Sequence, residues 1–318
     1  MRPEEVDMSA PLGAHRTLPN PVSTASGCAG YGRELHRFVP LDALGTITTK
    51  TVMPRVRSGR PTPRMAETPS GMLNSIGLQG CGIDRFVEDE LPWLAERGAR
   101  VVVSIAGEHA GEFAEVAARL TGRPGVVGIE VNISCPNVAS RGLVFGCDPR
   151  ASHEVVAAVR AAADPALPVY AKLTPDVTRI TDVAAACVDA GADGLSMINT
   201  VLGMAVDVDT MRPALAAATG GLSGPAIRPV AVRCVFQVYA AMLAGRVCEV
   251  PILGMGGIAD GRDALEFVLA GASGVAVGTA LFNDPSAPLR IIEELRAALA
   301  ARGIGSFASA VGLAHRTT

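Results

Sequence analysis

The chain has 318 residues, of which 49% are hydrophobic and 19% charged. That balance supplies a sizeable core and excludes a disordered chain, and the length suits one large α/β domain. The net charge of −3, from 28 basic and 31 acidic residues, excludes a general attraction to nucleic acid or anionic membrane.

In chain order, the first dozen or so residues are polar and lack an apolar core, so neither a signal peptide nor a membrane anchor is expected. Later apolar runs are short and broken by Gly, Pro or charge, and none reads as a membrane span. Short β-branched runs then alternate with Ala-rich amphipathic segments. The pattern predicts strands over residues 21–25, 45–51, 100–105, 127–134, 169–173, 194–199, 251–254 and 274–277. Helices are predicted over 86–97, 111–120, 152–163, 180–190, 227–244, 262–270 and 287–302. Gly191 follows Ala190 where a left-handed helix cap falls, and Ala-Gly-Ala-Asp-Gly (190–194) and Ala-Gly-Ala-Ser-Gly (270–274) are similar helix-to-strand turns.

Eight strands separated by helices predict an α/β fold, a (β/α)8 TIM barrel, with an open doubly wound sheet as the alternative topology. Residues 51–82 and 200–224 are too long for ordinary connections. Each leaves the C-terminal end of a strand, where barrel active sites lie, so both are read as long loops of one site. No low-complexity linker divides the chain, and residues 1–318 are read as a single domain.

Seven cysteines are present, an odd number with no Cys-x-x-Cys pair. No disulfide framework and no zinc or iron–sulfur ligand set is expected, and a reducing cytoplasm fits best. One cysteine stands apart. In Asn132-Ile-Ser-Cys-Pro-Asn137, Pro136 removes a backbone donor and ends the fourth strand, leaving Cys135 near the barrel mouth. A thiol there can serve as nucleophile or general base, or it can be one more small buried residue. Lys50 ends the second strand, and Lys172 sits among apolar residues of the fifth. Burying a lysine is costly unless it is paired, so both are candidate partners for an anionic ligand. Glycines follow the seventh and eighth strands, in Gly254-Met-Gly-Gly257 and Gly278-Thr279. Backbone amides can approach a phosphate there, a recurrent barrel site. Asn74, Asn132, Asn137 and Asn199 lie at strand ends or in loops, where amides can read a small planar ligand or simply shape turns. His109 is assigned to a surface loop. At this level FMN and a phosphosugar are both open.

Taken together, the segments resemble the dihydroorotate dehydrogenase family, in its soluble class 1. The pieces that carry the resemblance are Thr68-Pro-Ser-Gly-Met-Leu-Asn-Ser-Ile-Gly-Leu78, Asn132-Ile-Ser-Cys-Pro-Asn137, and Ile198-Asn-Thr200 with Gly220-Gly-Leu-Ser-Gly-Pro225. Within class 1, Arg141-Gly-Leu-Val-Phe-Gly-Cys-Asp-Pro149 and Asn199-Thr-Val-Leu-Gly-Met204 are similar to subclass B. The resemblance implies that Cys135 takes a proton from dihydroorotate while hydride passes to FMN. It implies substrate contacts from Lys50, Asn74, Ser75, Ile76, Gly77, Leu78, Asn132, Asn199 and Thr200. It places Ser26, Lys50, Thr51, Ser104, Asn132, Lys172, Ile198 and Gly224 along the flavin, and Gly256, Gly257, Gly278 and Thr279 at its phosphate. It further implies a homodimer that associates with a subunit carrying FAD and a [2Fe–2S] cluster, through which electrons reach NAD⁺. Ser104 departs from the family, which usually has Asn in that place, so a single hydroxyl replaces an amide. Cys28 and Cys81 also stand where the family has other residues. Competing readings are a fumarate-reducing class 1 enzyme without a partner, an RNA-modifying flavin barrel of the dihydrouridine synthase type, and a flavin-binding scaffold without turnover.

Overall fold

A computed structural model describes residues 1–14, 16–134 and 145–316. Its centre is an eight-stranded parallel sheet: β1 (Val22–Thr24), β2 (Ile47–Thr48), β3 (Val101–Ile105), β4 (Val126–Asn132), β5 (Val169–Leu173), β6 (Gly194–Met197), β7 (Ile252–Met255) and β8 (Gly274–Val277). Each strand pairs with its chain neighbour and β8 pairs with β1, in the order β1-β8-β7-β6-β5-β4-β3-β2. The ring closes between β1 and β2 through a parallel bridge from Ser23 to Thr46 and a hydrogen bond from Gly45 N to Val22 O (2.8 Å). This is the predicted (β/α)8 barrel, and closure decides against the open sheet.

The strands carry β-branched side chains on both faces. Val101, Val103, Ile105, Val169, Ala171 and Leu173 are buried in the large core cluster shared with the helices. The covering helices include Ala110–Leu120, Pro149–Ala162, Ile180–Asp189, Arg228–Leu243, Gly261–Ala270 and Ala287–Ala300. Asp148 caps the second of these, accepting from the backbone N–H of Arg150 and Ala151, with Pro149 in the first turn. That cap moves the start three residues ahead of the predicted 152. His109 caps Ala110–Leu120 by accepting from Glu112 N. The segment Pro225–Leu243 is long and apolar enough to cross a membrane. In the fold its helix lies on the barrel, burying Ala231, Cys234, Val235, Val238, Ala241 and Met242.

The two ends of the barrel differ. At the N-terminal end, the hairpin Ala10–Leu12/Arg16–Leu18 acts as a plug, with Leu12 and Leu18 packed on Val102 and Tyr170. At the C-terminal end, the two long segments read as loops contain strands. Met65–Thr68, Gly71–Asn74, Thr219–Ser223 and Val201–Met204 form one antiparallel sheet. The pairing of Gly221 with Asn74 brings the segments after β2 and β6 together.

Candidate active site at the barrel mouth

Strand alternation determines what points inward. In parallel pairs, residues in register share a face. Asn132, Lys172 and Ser196 are in register across β4, β5 and β6, and Ser104 is in register with Glu130 on β4. The interior near the mouth is therefore lined by polar side chains.

Four residues form a hydrogen-bonded row across the mouth. Asn199 Nδ2 donates to Asn132 Oδ1 (3.5 Å), and Asn132 Nδ2 donates to Thr51 Oγ1 (3.2 Å). The Thr51 and Ser104 hydroxyls are 3.1 Å apart. Asn132, Thr51 and Ser104 are all buried, so the row fixes the Asn132 amide rather than leaving it to solvent. The Ser104 hydroxyl is turned toward Thr51, where it supports the row from below. Asn199 Oδ1 also accepts from Thr200 N (2.9 Å).

Lys172 crosses this layer. Its side chain is 5% exposed, and its Nζ donates to Ser26 Oγ (2.7 Å) beyond β1. Ser134 Oγ donates to Lys172 O (2.6 Å), tying the end of β4 to β5. Lys50 begins the segment after β2, and its backbone N–H donates to Gly30 O (2.8 Å). The Cys28 thiol is pushed up from its ordinary value by burial, while the ammonium groups of Lys172 and Lys50 pull it down. Lys172 thus reaches the part of the mouth where Ser26 and Cys28 lie.

The rest of this part of the mouth is made of backbone. Gly256 and Gly257 have φ of 130° and 82°. A Cβ on Gly257 would stand 2.8 Å from Gly224 O and 2.9 Å from Arg228 Cβ, and one on Gly256 would stand 2.8 Å from Ala231 Cβ. Only glycine fits this turn. A Cβ on Gly224, whose φ is 90°, would come within 3.6 Å of Thr279 Cγ2. Thr279 Oγ1 donates to Ser223 Oγ (2.8 Å). A Cβ on Gly278 would meet Cys28 Sγ at 3.4 Å. Gly224, Gly257, Gly278 and Thr279 therefore converge beside Ser26 and Cys28. Ile198, buried and joined to Met197 by a cis peptide, lies against Gly256.

Among the remaining predicted residues, Asn74 and Thr200 join the mouth through Gly221. Asn74 Nδ2 donates to Gly221 O (3.2 Å), and a Cβ on Gly221 would overlap Thr200 Oγ1. Ser75, Ile76, Gly77 and Leu78 form the rim. There Arg60 Nη1 donates to Ser75 Oγ (2.9 Å) and Arg60 N donates to Ile76 O (3.0 Å). Cys135 and Asn137 lie outside the described residues. Sequence reasoning passed over Glu130, Ser223 and Arg60. For Glu130 the signal was present: it stands two residues before Asn132 on the same strand face. No metal-sized group of three His, Cys, Asp or Glu occurs among the described residues.

The dihydroorotate dehydrogenase family profile matches residues 13–299. The chain belongs to the dihydroorotate dehydrogenase family, a family of oxidoreductases. It is 51% identical over 306 residues to the "Dihydroorotate dehydrogenase B (NAD(+)), catalytic subunit" of Geobacter sp. (strain M21), covering 96% of this chain and 97% of that protein. The proteins of the same name from Geobacter sulfurreducens and Geobacillus kaustophilus are 50% and 48% identical. Those alignments cover 97% and 95% of this chain, and 98% and 94% of the relatives.

Proposed function

We propose that this chain oxidises (S)-dihydroorotate to orotate in pyrimidine biosynthesis, with FMN at the barrel mouth and Cys135 as general base. The observation that carries the reading is a glycine cradle and a buried ammonium at one mouth, meeting beside Ser26 and Cys28. The residues fit FMN. Gly256 and Gly257 supply a turn too tight for a side chain, and Gly278 and Thr279 lie at the end of the next strand, an arrangement suited to a phosphate. Lys172, Ser26, Ile198 and Gly224 would line the flavin between that turn and the row, and Thr51 and Ser104, in the row, would face it. FMN, when bound, supplies the hydride acceptor.

The chain's own residues do the rest. Asn132 and Asn199 are held by the row through Thr51 and Ser104, so their amides are oriented before a ring with N–H and C=O groups arrives. Asn74 and Thr200, fixed against Gly221, complete the amide set, and residues Ser75 to Leu78 cover it. Lys50 meets the substrate carboxylate. Cys135 removes the C5 proton, which requires the thiolate.

The relatives' name, "catalytic subunit", supports a second subunit. We assign it FAD and a [2Fe–2S] cluster, which would relay electrons to NAD⁺ from a homodimer of this chain. We place the complex in the cytoplasm. The six described cysteines are all free thiols, which supports a reducing compartment.

Purified chain mixed anaerobically with dihydroorotate tests the reading. The yellow chain should bleach within the mixing time. Cys135→Ala should remain yellow and bleach slower by about 10²-fold or more, the range of a lost general base. A wild-type chain that binds no flavin, or a variant that bleaches at the wild-type rate, contradicts the assignment. Rapid reoxidation by fumarate alone would point to the partner-free enzyme.

A further inference from the structure

Below the Lys172 ammonium lies a carboxylate that the proposed chemistry does not use. Glu130 stands two residues before Asn132 on β4, about 6–7 Å deeper in the barrel at the usual strand rise. Its side chain is 1% exposed, and neither Oε1 nor Oε2 has a hydrogen bond among the described residues. Lys172 Nζ stands 3.5 Å from Oε1 and 2.7 Å from Ser26 Oγ. The ammonium is therefore gripped from below by charge and from the mouth by a hydroxyl. Nearby, the Ser196 and Thr48 hydroxyls are also buried without a hydrogen-bond partner among the described residues.

A buried ion pair is a poor device for stability. Desolvating both groups costs about as much as their attraction returns, and an apolar pair of the same volume often does as well. A carboxylate without hydrogen bonds is a worse case still. What such a pair does supply is a fixed position and a fixed net charge. With Glu130 beneath it, Lys172 presents an ammonium to the mouth whose field is offset by an opposite charge one layer down.

We propose that Glu130 is a positioning residue that holds the Lys172 ammonium at the flavin and offsets its charge, and so sets how readily the flavin accepts negative charge. This rests on the reading of the mouth as an FMN site. Adding two electrons, or a sulfite anion, places negative charge on the flavin ring. Lys172 favours that charge and Glu130 opposes it. Removing only the Glu130 charge leaves the ammonium unopposed, and removing only the Lys172 charge leaves the carboxylate unopposed.

The test is a charge cycle on the flavin-loaded chain, read by the spectrum of sulfite binding and by a redox titration of bound FMN, neither of which needs turnover. Glu130→Gln keeps size and shape. It should tighten sulfite binding about ten-fold and raise the midpoint potential. Lys172→Gln should weaken sulfite binding by a similar factor and lower the potential. The double variant, a neutral pair in place of an ion pair, should return close to wild type, because the net charge of the pair is again zero and the two opposite shifts cancel. Should Glu130→Gln alone fail to fold, the double variant carries the test by comparison with Lys172→Gln. The proposal is overturned if Glu130→Gln leaves both readouts unmoved, if the two single variants shift in the same direction, or if the double variant stays displaced as far as Lys172→Gln. A wild-type chain without flavin would remove the underlying reading and this inference with it. A yellow wild type that bleaches with dihydroorotate, beside unmoved Glu130 variants, would remove the inference alone.

Discussion

At the ends of β7 and β8 the mouth is built from backbone: Gly256 and Gly257 with positive φ, Gly224 O against Gly257, and Gly278 beside Cys28. At the ends of β2 to β6 it is built from side chains: the row Thr51, Ser104, Asn132 and Asn199, with Lys172 reaching across to Ser26. The first half offers shape, because no Cβ fits and amides can come close to an anion. The second offers direction, because each amide or ammonium is aimed by a neighbour. A phosphate, with many equivalent oxygens, needs only the first. A ring whose donors and acceptors alternate needs the second. The two halves should therefore fail differently when damaged, the backbone half in cofactor retention and the side-chain half in substrate recognition.

The larger effect is expected from the backbone half. Gly257→Ala places a Cβ 2.8 Å from Gly224 O at a φ of 82°, where an L side chain costs about 1–2 kcal/mol before any clash. Neither neighbour can yield, since one is backbone and the other begins the helix Arg228–Leu243. FMN affinity should fall by about 10²-fold, which corresponds to roughly 2.7 kcal/mol. Equilibrium dialysis or flavin fluorescence during gel filtration would show it. Retained FMN would mean that the cradle lies elsewhere.

A smaller and different effect is expected from the side-chain half. Thr51→Val keeps volume but removes the hydroxyl between Ser104 (3.1 Å) and Asn132 (3.2 Å). Two buried polar groups lose a partner, at about 1–3 kcal/mol. The Asn132 amide is then free to turn, and kcat/KM for dihydroorotate should fall about ten-fold, with a far smaller loss of FMN affinity than in Gly257→Ala. If FMN is lost as readily as in Gly257→Ala, the division between the halves is wrong.

The halves also differed in how well the sequence announced them. Each glycine turn alone is a weak signal, since Gly is common in turns, but two after consecutive strands point to a place where backbone can approach an anion. Lys172 was conspicuous because nothing else in its strand carries charge. The sheet over the mouth was not legible. Gly71–Asn74 and Thr219–Ser223 are rich in Gly, Thr and Ser, which locally signals a turn, and the pairing of Asn74 with Gly221 spans 147 residues. Contacts at that separation leave no periodic trace. The direction of the Ser104 hydroxyl depends on Thr51, and Thr51 depends on Asn132, so a chain of dependence between three strands emerges only from the fold. Glu130 was legible in principle from strand alternation, but it is a buried carboxylate, and nothing in the spacing alone says that Lys172 lies within reach.

The smallest effect is expected on the same strand as Lys172 but at the opposite end of the barrel, which makes it a control for the comparison. Tyr170 lies two residues before Lys172 on β5, and its hydroxyl accepts from Gly13 N (3.0 Å) under the N-terminal plug. Burial pushes its pKa up to about 12, with the Asp193 carboxylate adding to the rise and the Gly13 N–H opposing it. Tyr170→Phe leaves the buried Gly13 N–H unpaired and should lower stability by about 1–2 kcal/mol at neutral pH, with FMN affinity and kcat/KM unchanged. The pH dependence has a definite sign. The folded state holds the phenol proton more tightly than the unfolded chain, whose tyrosines titrate near about 10. The Tyr170 contribution is therefore complete below about 10 and is lost as pH climbs toward 12. Urea denaturation of both proteins across that interval should show the gap between them narrowing. A gap that widens would mean that the phenolate is the form the fold prefers. Altered FMN binding in Tyr170→Phe would mean that the plug and the mouth are coupled along β5.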